Sequence, residues 1–146
     1  MKNNLQQHTL NILLADDDRE DCIIFDKALH EIPVATNLNI VKDGARLMQL
    51  LDANTGPLPD VLFLDLSMPY KTGFECLAEI KENEKLKALP VVILSASLTQ
   101  LIELENNLKH TLEGMGAQDY IRKTGNFEQL KLVLEQTLIT VMKKAS

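Results

Sequence analysis

No apolar stretch in this chain approaches the roughly 20 residues that cross a bilayer, so a membrane-spanning helix is excluded. The first nine residues, MKNNLQQHT, are polar and lack the apolar segment of a secretory signal. Cysteine is scarce: Cys22 and Cys76 stand apart, in no CxxC or other metal spacing. They read as two reduced thiols within helix-like segments of a cytoplasmic protein. Basic charge is also short, with 15 Lys and Arg against 21 Asp and Glu and a net charge of −6. Sequence-independent affinity for nucleic acid comes from neutralising phosphates with Lys and Arg, and here those residues are scattered. Internal repeats, low-complexity tracts and Pro- or Ser-rich linkers are missing too.

What remains is an ordinary globular composition, 45% hydrophobic and 25% charged, in 146 residues. That length suits one domain with a real core. Residues 1–9 read as a flexible arm, and residues 10–146 as the domain. Short apolar runs alternate with longer amphipathic segments, which argues for βα units and a parallel sheet. The runs at 11–15, 61–64 and 91–94 are apolar throughout, as central strands covered by helices on both faces must be. Two weaker strands are expected at 38–41 and 119–122. Helices are expected at 20–31, 44–51, 73–83, 99–113 and 127–143, with Gly116 as the stop before the fifth strand. Together these predict an α/β, flavodoxin-like, doubly wound sheet of five parallel strands in the order 2-1-3-4-5. In such sheets, ligands bind beyond the carboxyl ends of the strands, where the strand order reverses.

Those ends carry a coherent set of groups. Strand 1 runs into Asp16, Asp17 and Asp18, and strand 3 into Asp65. Strand 4 ends at Ser95, Ala96 and Ser97, and strand 5 at Arg122, Lys123 and Thr124. Carboxylates converging without a cation repel one another, and at least one pKa rises. A hard divalent cation such as Mg²⁺ removes that penalty through oxygen ligands. Screened by the metal and by Lys123, a carboxylate oxygen can attack phosphorus, and the same charges stabilise the transferring group. Each residue also has a plainer explanation: any of the three acids after strand 1 suits a helix N-cap, Asp65 a turn, Ser95 a loop and Lys123 a solvated surface.

Four segments, ILLADDD, LFLDLSMPYKTG, VVILSAS and DYIRK, occur in an order that resembles the receiver domain of bacterial two-component response regulators. The resemblance runs from Asn11 to about Met142. It implies Asp65 as the phosphoacceptor. It further implies Asp16, Asp17, Asp65 and the backbone carbonyl of Ser67 as ligands to Mg²⁺, with Mn²⁺ as a substitute. Ser95 and Ala96 match the phosphoryl-binding switch position, Lys123 the invariant lysine, and Tyr120 the aromatic residue that changes rotamer. The resemblance implies a single receiver that takes its phosphoryl group from a sensor histidine kinase or phosphotransfer protein and then releases it itself. It would be a signalling domain rather than an enzyme. Its output is a changed surface of helix 4, strand 5 and helix 5, which acts on a downstream protein. No nucleic-acid or membrane partner is implied.

Two features depart from the family pattern. Thr124 follows Lys123 where a cis proline is usual, and Ser95 to Tyr120 spans a longer stretch than usual, so helix 4 or its leading loop should be extended. The chain is also similar to receivers paired with phytochrome-type kinases, which suggests a homodimer through the helix 4–strand 5–helix 5 face; a monomer fits the Leu-rich helices equally. A haloacid-dehalogenase-like phosphatase would need an acid where Ser67 stands. A nucleotide or flavin module would need a Gly- or Thr-rich loop where the three acids stand. A non-phosphorylated interaction module of the same fold is the other alternative.

Overall fold

The computed structural model describes residues 9–96 and 102–145. Continuous apolar sequence makes the central strands. β1 (Leu10–Ala15), β3 (Val61–Asp65) and β4 (Val91–Ala96) are buried almost without a break, because helices cover both of their faces. β2 (Thr36–Val41) lies at one edge, and its residues alternate between half-buried and exposed. β5 (Asp119–Lys123) closes the other edge. All pairings are parallel, and the order is β2-β1-β3-β4-β5, as the sequence predicts.

Among the described residues four helices connect the strands and a fifth follows β5: α1 (Arg19–His30), α2 (Gly44–Ala53), α3 (Gly73–Glu82), α4 (Ile102–Gly114) and α5 (Phe127–Ala145). Each differs from its sequence-based range by a residue or two at the ends. The start expected for α4, at 99–101, lies outside the described residues, as does nearly all of the expected arm at 1–9. The predicted stop at Gly116 is observed, with φ +104 and closing bonds from its N–H to Glu113 and from Ala117 N–H to Leu112. Glycine holds such a φ without the Cβ clash that other residues meet.

The sheet divides the core into two layers. Leu47, Leu77, Ile80 and Leu112 of α2, α3 and α4 pack on one face against Leu13, Leu62, Leu64 and Ile93. Phe25, Leu29, Leu134 and Leu138 of α1 and α5 pack on the other, against Ile12, Leu14, Phe63 and Leu94. Phe25 and Phe63 meet edge to face with ring centroids 5.0 Å apart, a geometry that adds to the area they bury. Cys22 and Cys76 are both buried and unpaired within these layers. No helix among the described residues is long and apolar enough to cross a membrane.

Candidate functional site

The strand order reverses between β1 and β3, so the chain leaving these two strands turns opposite ways and leaves a hollow at their carboxyl ends. Asp16 follows β1 and Asp65 ends β3. Both are buried, at 1% and 5% exposure, whereas Asp17 beside them is exposed. One carboxylate oxygen from each of Asp16, Asp17 and Asp65 falls within a single 4.8 Å group.

The three consecutive acids after β1 have separate environments. Asp16 accepts a hydrogen bond from Asp18 N–H (3.0 Å), which aims its carboxylate back into the hollow. Asp18 is the N-cap of α1 and accepts from Asp21 N–H (3.0 Å). The plainer N-cap reading therefore holds for Asp18 and not for its two neighbours.

Lys123, at the end of β5, reaches across to the acids. Its ammonium donates to Asp16 Oδ2 (2.7 Å) and Asp21 Oδ2 (2.9 Å) and lies 3.7 Å from Asp65 Oδ1. Burial alone would lower the lysine's pKa, but the bonds to Asp16 and Asp21 outweigh it and hold the pKa above the usual lysine value. Lys123 is therefore a permanent cation. Asp65 has less support. Among the described residues, its carboxylate accepts one backbone hydrogen bond, a long one from Ser67 N–H (3.4 Å). Burial, and the neighbouring charge of Asp16, push its carboxyl up to about 7 in spite of Lys123.

A strained carboxylate group of this kind fits a divalent cation. The donors are hard oxygens on two strand ends, one of them on exposed Asp17 where retained waters can complete the shell. Ser67, two residues after Asp65, is exposed, and its N–H is the group that donates to Asp65 Oδ1. Ser95 is buried, and its hydroxyl donates to the Ala96 carbonyl (2.9 Å) rather than to any group of the acidic cluster. Tyr120 is half-buried against the α2–α3–α4 layer, in register beside Ile93. The structure thus brings the predicted Asp16, Asp17, Asp65 and Lys123 together, whereas Ser95 and Tyr120 stand back from the charges. Asp21 was not among the predicted residues. That residue lies in the first turn of α1, where an acid ordinarily complements the helix dipole. Its spacing of three from the Asp18 cap was the available signal.

The family model for the response regulator receiver domain matches residues 12–135. The chain belongs to that family. Receiver domains serve two-component signal transduction, and the family assignment carries that much for this chain. Response regulator Rcp1 of Synechocystis is 38% identical over 90 residues, 59% of this chain and 61% of Rcp1. The aligned part thus spans about three fifths of that relative's length. Among solved structures, the phosphorylated cyanobacterial phytochrome response regulator RcpA superposes with a TM-score of 0.79 at 30% identity, covering 95% of this chain and 98% of that one. The Mn²⁺-bound form of Rcp1 gives a TM-score of 0.73 at 29% identity, covering 87% and 90%.

The β5–α5 connection differs from the family pattern in sequence, with Thr124 after Lys123. The described residues contain no cis peptide bond, and Gly125 takes φ +79 to make the turn. Thr124 Oγ1 accepts from Asn126 N–H (3.2 Å), and Asn126 Oδ1 accepts from Gln129 N–H (3.0 Å), so the loop is closed by side chains.

Proposed function

We propose that this receiver accepts a phosphoryl group on Asp65 in a Mg²⁺-dependent reaction with a histidine kinase or phosphotransfer protein. The observation that carries the reading is the meeting of Asp16, Asp17 and Asp65 within 4.8 Å, with the Lys123 ammonium 3.7 Å from Asp65. Asp16, Asp17, Asp65 and the Ser67 carbonyl would hold the ion, with Mn²⁺ as a substitute. Bound there, Mg²⁺ supplies positive charge that keeps Asp65 ionised and offsets the charge of the incoming phosphoryl oxygens. The Mn²⁺-bound neighbour supports an ion of this class.

Ionised Asp65 attacks phosphorus with one carboxylate oxygen. The new O–P bond forms as the P–N bond of phosphohistidine breaks, and the imidazole leaves with the electron pair. Lys123 stays protonated throughout and moves from its carboxylate partners toward the new phosphoryl oxygens. The group adds roughly −1.5 to −2 charges beside residues already held close together. Ser95 must leave the Ala96 carbonyl to reach a phosphoryl oxygen, and that rotation opens space toward Tyr120. The surface of α4, β5 and α5 is the output face, read by a protein target. The chain is a signalling domain whose only chemistry is its own phosphorylation and dephosphorylation.

Incubation with acetyl phosphate and Mg²⁺, followed by intact mass, tests this. One phosphoryl group per chain is expected, with none formed when EDTA is present from the start and none in Asp65→Asn. Continuous release of phosphate from small phosphomonoesters would instead indicate a phosphatase. A folded protein that takes no label under any metal condition would indicate an interaction module only.

A further inference from the structure

Among the described residues Tyr70 is the most exposed large hydrophobic one, at 89%, and it has φ +69. It is the only residue other than glycine with a positive φ among the described residues. Lys71 N–H donates to the Pro69 carbonyl (2.8 Å) across it, forming the rare positive-φ γ-turn. Glycine would hold this conformation without steric cost, and tyrosine does not. No hydrogen bond, ion pair or ring contact with a described residue repays the difference.

The turn is not a loose tip. Gly73 N–H donates to the Leu66 carbonyl (3.0 Å), tying the two ends of the β3–α3 loop together. Thr72 and Glu75 form a reciprocal capping box directly after it. Lys71 is paired with Glu79. On the other side, the Lys71 carbonyl lies so close to Gly44 of α2 that a Cβ there would sit 2.0 Å from its oxygen. The protein therefore holds a large aromatic ring in solvent, on a fixed mount, on the loop that leaves Asp65.

Asp65 is 5% exposed, so a protein donor must lay its surface over the rim loops to bring a phosphohistidine to it. A preorganised tyrosine loses little freedom on contact and is among the residues that dominate such interfaces. We infer that Tyr70 is a specificity-determining contact for the protein that donates the phosphoryl group. The inference rests on the reading of Asp65 as acceptor and adds the surface that recognises the donor. A small donor such as acetyl phosphate makes no such contact.

The test uses Tyr70→Gly, which the backbone conformation favours, and Tyr70→Phe, which keeps the ring. Each is labelled with acetyl phosphate, and separately with every phosphorylated histidine protein of the source organism that labels the wild type. The expected result for Tyr70→Gly is unchanged labelling by acetyl phosphate, unchanged phosphoryl lifetime, and a tenfold or greater loss of kcat/KM with the protein donor, mostly in KM. Tyr70→Phe should stay within about threefold of wild type with both donors, since the ring supplies the contact. Equal rates for Tyr70→Gly and wild type with the protein donor would overturn the inference. So would an equal loss with both donors, or a shortened lifetime, either of which assigns the residue to the site itself. Failure of acetyl phosphate to label even the wild type would instead count against the acceptor role of Asp65.

Discussion

Asp16, Asp21 and Asp65 gather around Lys123, Asp17 and Asp18 follow Asp16 in the chain, and their settings separate the five acids chemically. Asp16 is buried and held by Lys123 (2.7 Å), Asp17 is exposed, and Asp18 caps α1. Asp65 carries the highest cost, because burial raises its carboxyl to about 7 without a metal. This has a consequence for stability. A carboxyl that holds its proton more tightly folded than unfolded stabilises fully below its ordinary value and loses that contribution as pH rises through the folded value. Metal-free wild type should therefore lose stability relative to Asp65→Asn between about pH 4 and pH 7. The gap should be about 1–2 kcal/mol after solvent screening is allowed for. Urea unfolding at several pH values measures it, and saturating Mg²⁺ should shrink it. A gap independent of pH would show that Asp65 does not carry this proton. The strand-end acids and Lys123 were legible in the sequence because they follow apolar runs directly. Their division of labour was not, since it depends on which carboxylate meets the Asp18 and Asp21 N–H groups.

Among the elements, legibility followed burial. β1, β3 and β4 are apolar on both faces and stood out as continuous runs, whereas β2, Thr36–Val41, alternates at an edge and read as a shorter strand. The departure at Thr124 pointed to altered loop geometry, and the turn is made by Gly125 with side-chain closures at Asn126. The β3–α3 loop depends on two close approaches that no sequence pattern reveals. A Cβ on Gly73 would lie 2.4 Å from the Asp65 carbonyl oxygen and 2.7 Å from Leu66 Cα. Backbone atoms cannot yield as a flexible side chain can, so Gly73→Ala must displace the end of β3. A loss of about 1–3 kcal/mol is expected, with slower labelling of Asp65 by acetyl phosphate. Gly114→Ala is the control, since a Cβ there meets nothing within 4 Å. Thermal unfolding and labelling rates of the two variants make the comparison. Equal behaviour would mean that the loop adapts and does not position Asp65.

At the scale of the whole molecule, the two-layer core fixes the carboxyl ends of the strands that carry the acids. Leu14, Phe63 and Leu64 are fully buried next to the site, so the acids stand on strands that have no room to retreat. A negative group added at Asp65 must then be accommodated by side chains that can turn, such as Ser95 and Tyr120, and by the loops. The net charge of −6 gives the molecule no general attraction to a phosphorylated partner, and local contacts must supply recognition. The central claim concerns one oxygen atom. Borohydride reduction of the acetyl-phosphate-treated protein converts a phosphorylated aspartate to homoserine, and peptide mass spectrometry then locates it. The account predicts homoserine at position 65 alone, and only where Mg²⁺ was present. Homoserine at position 16 or 17, or its formation without any divalent ion, would contradict it.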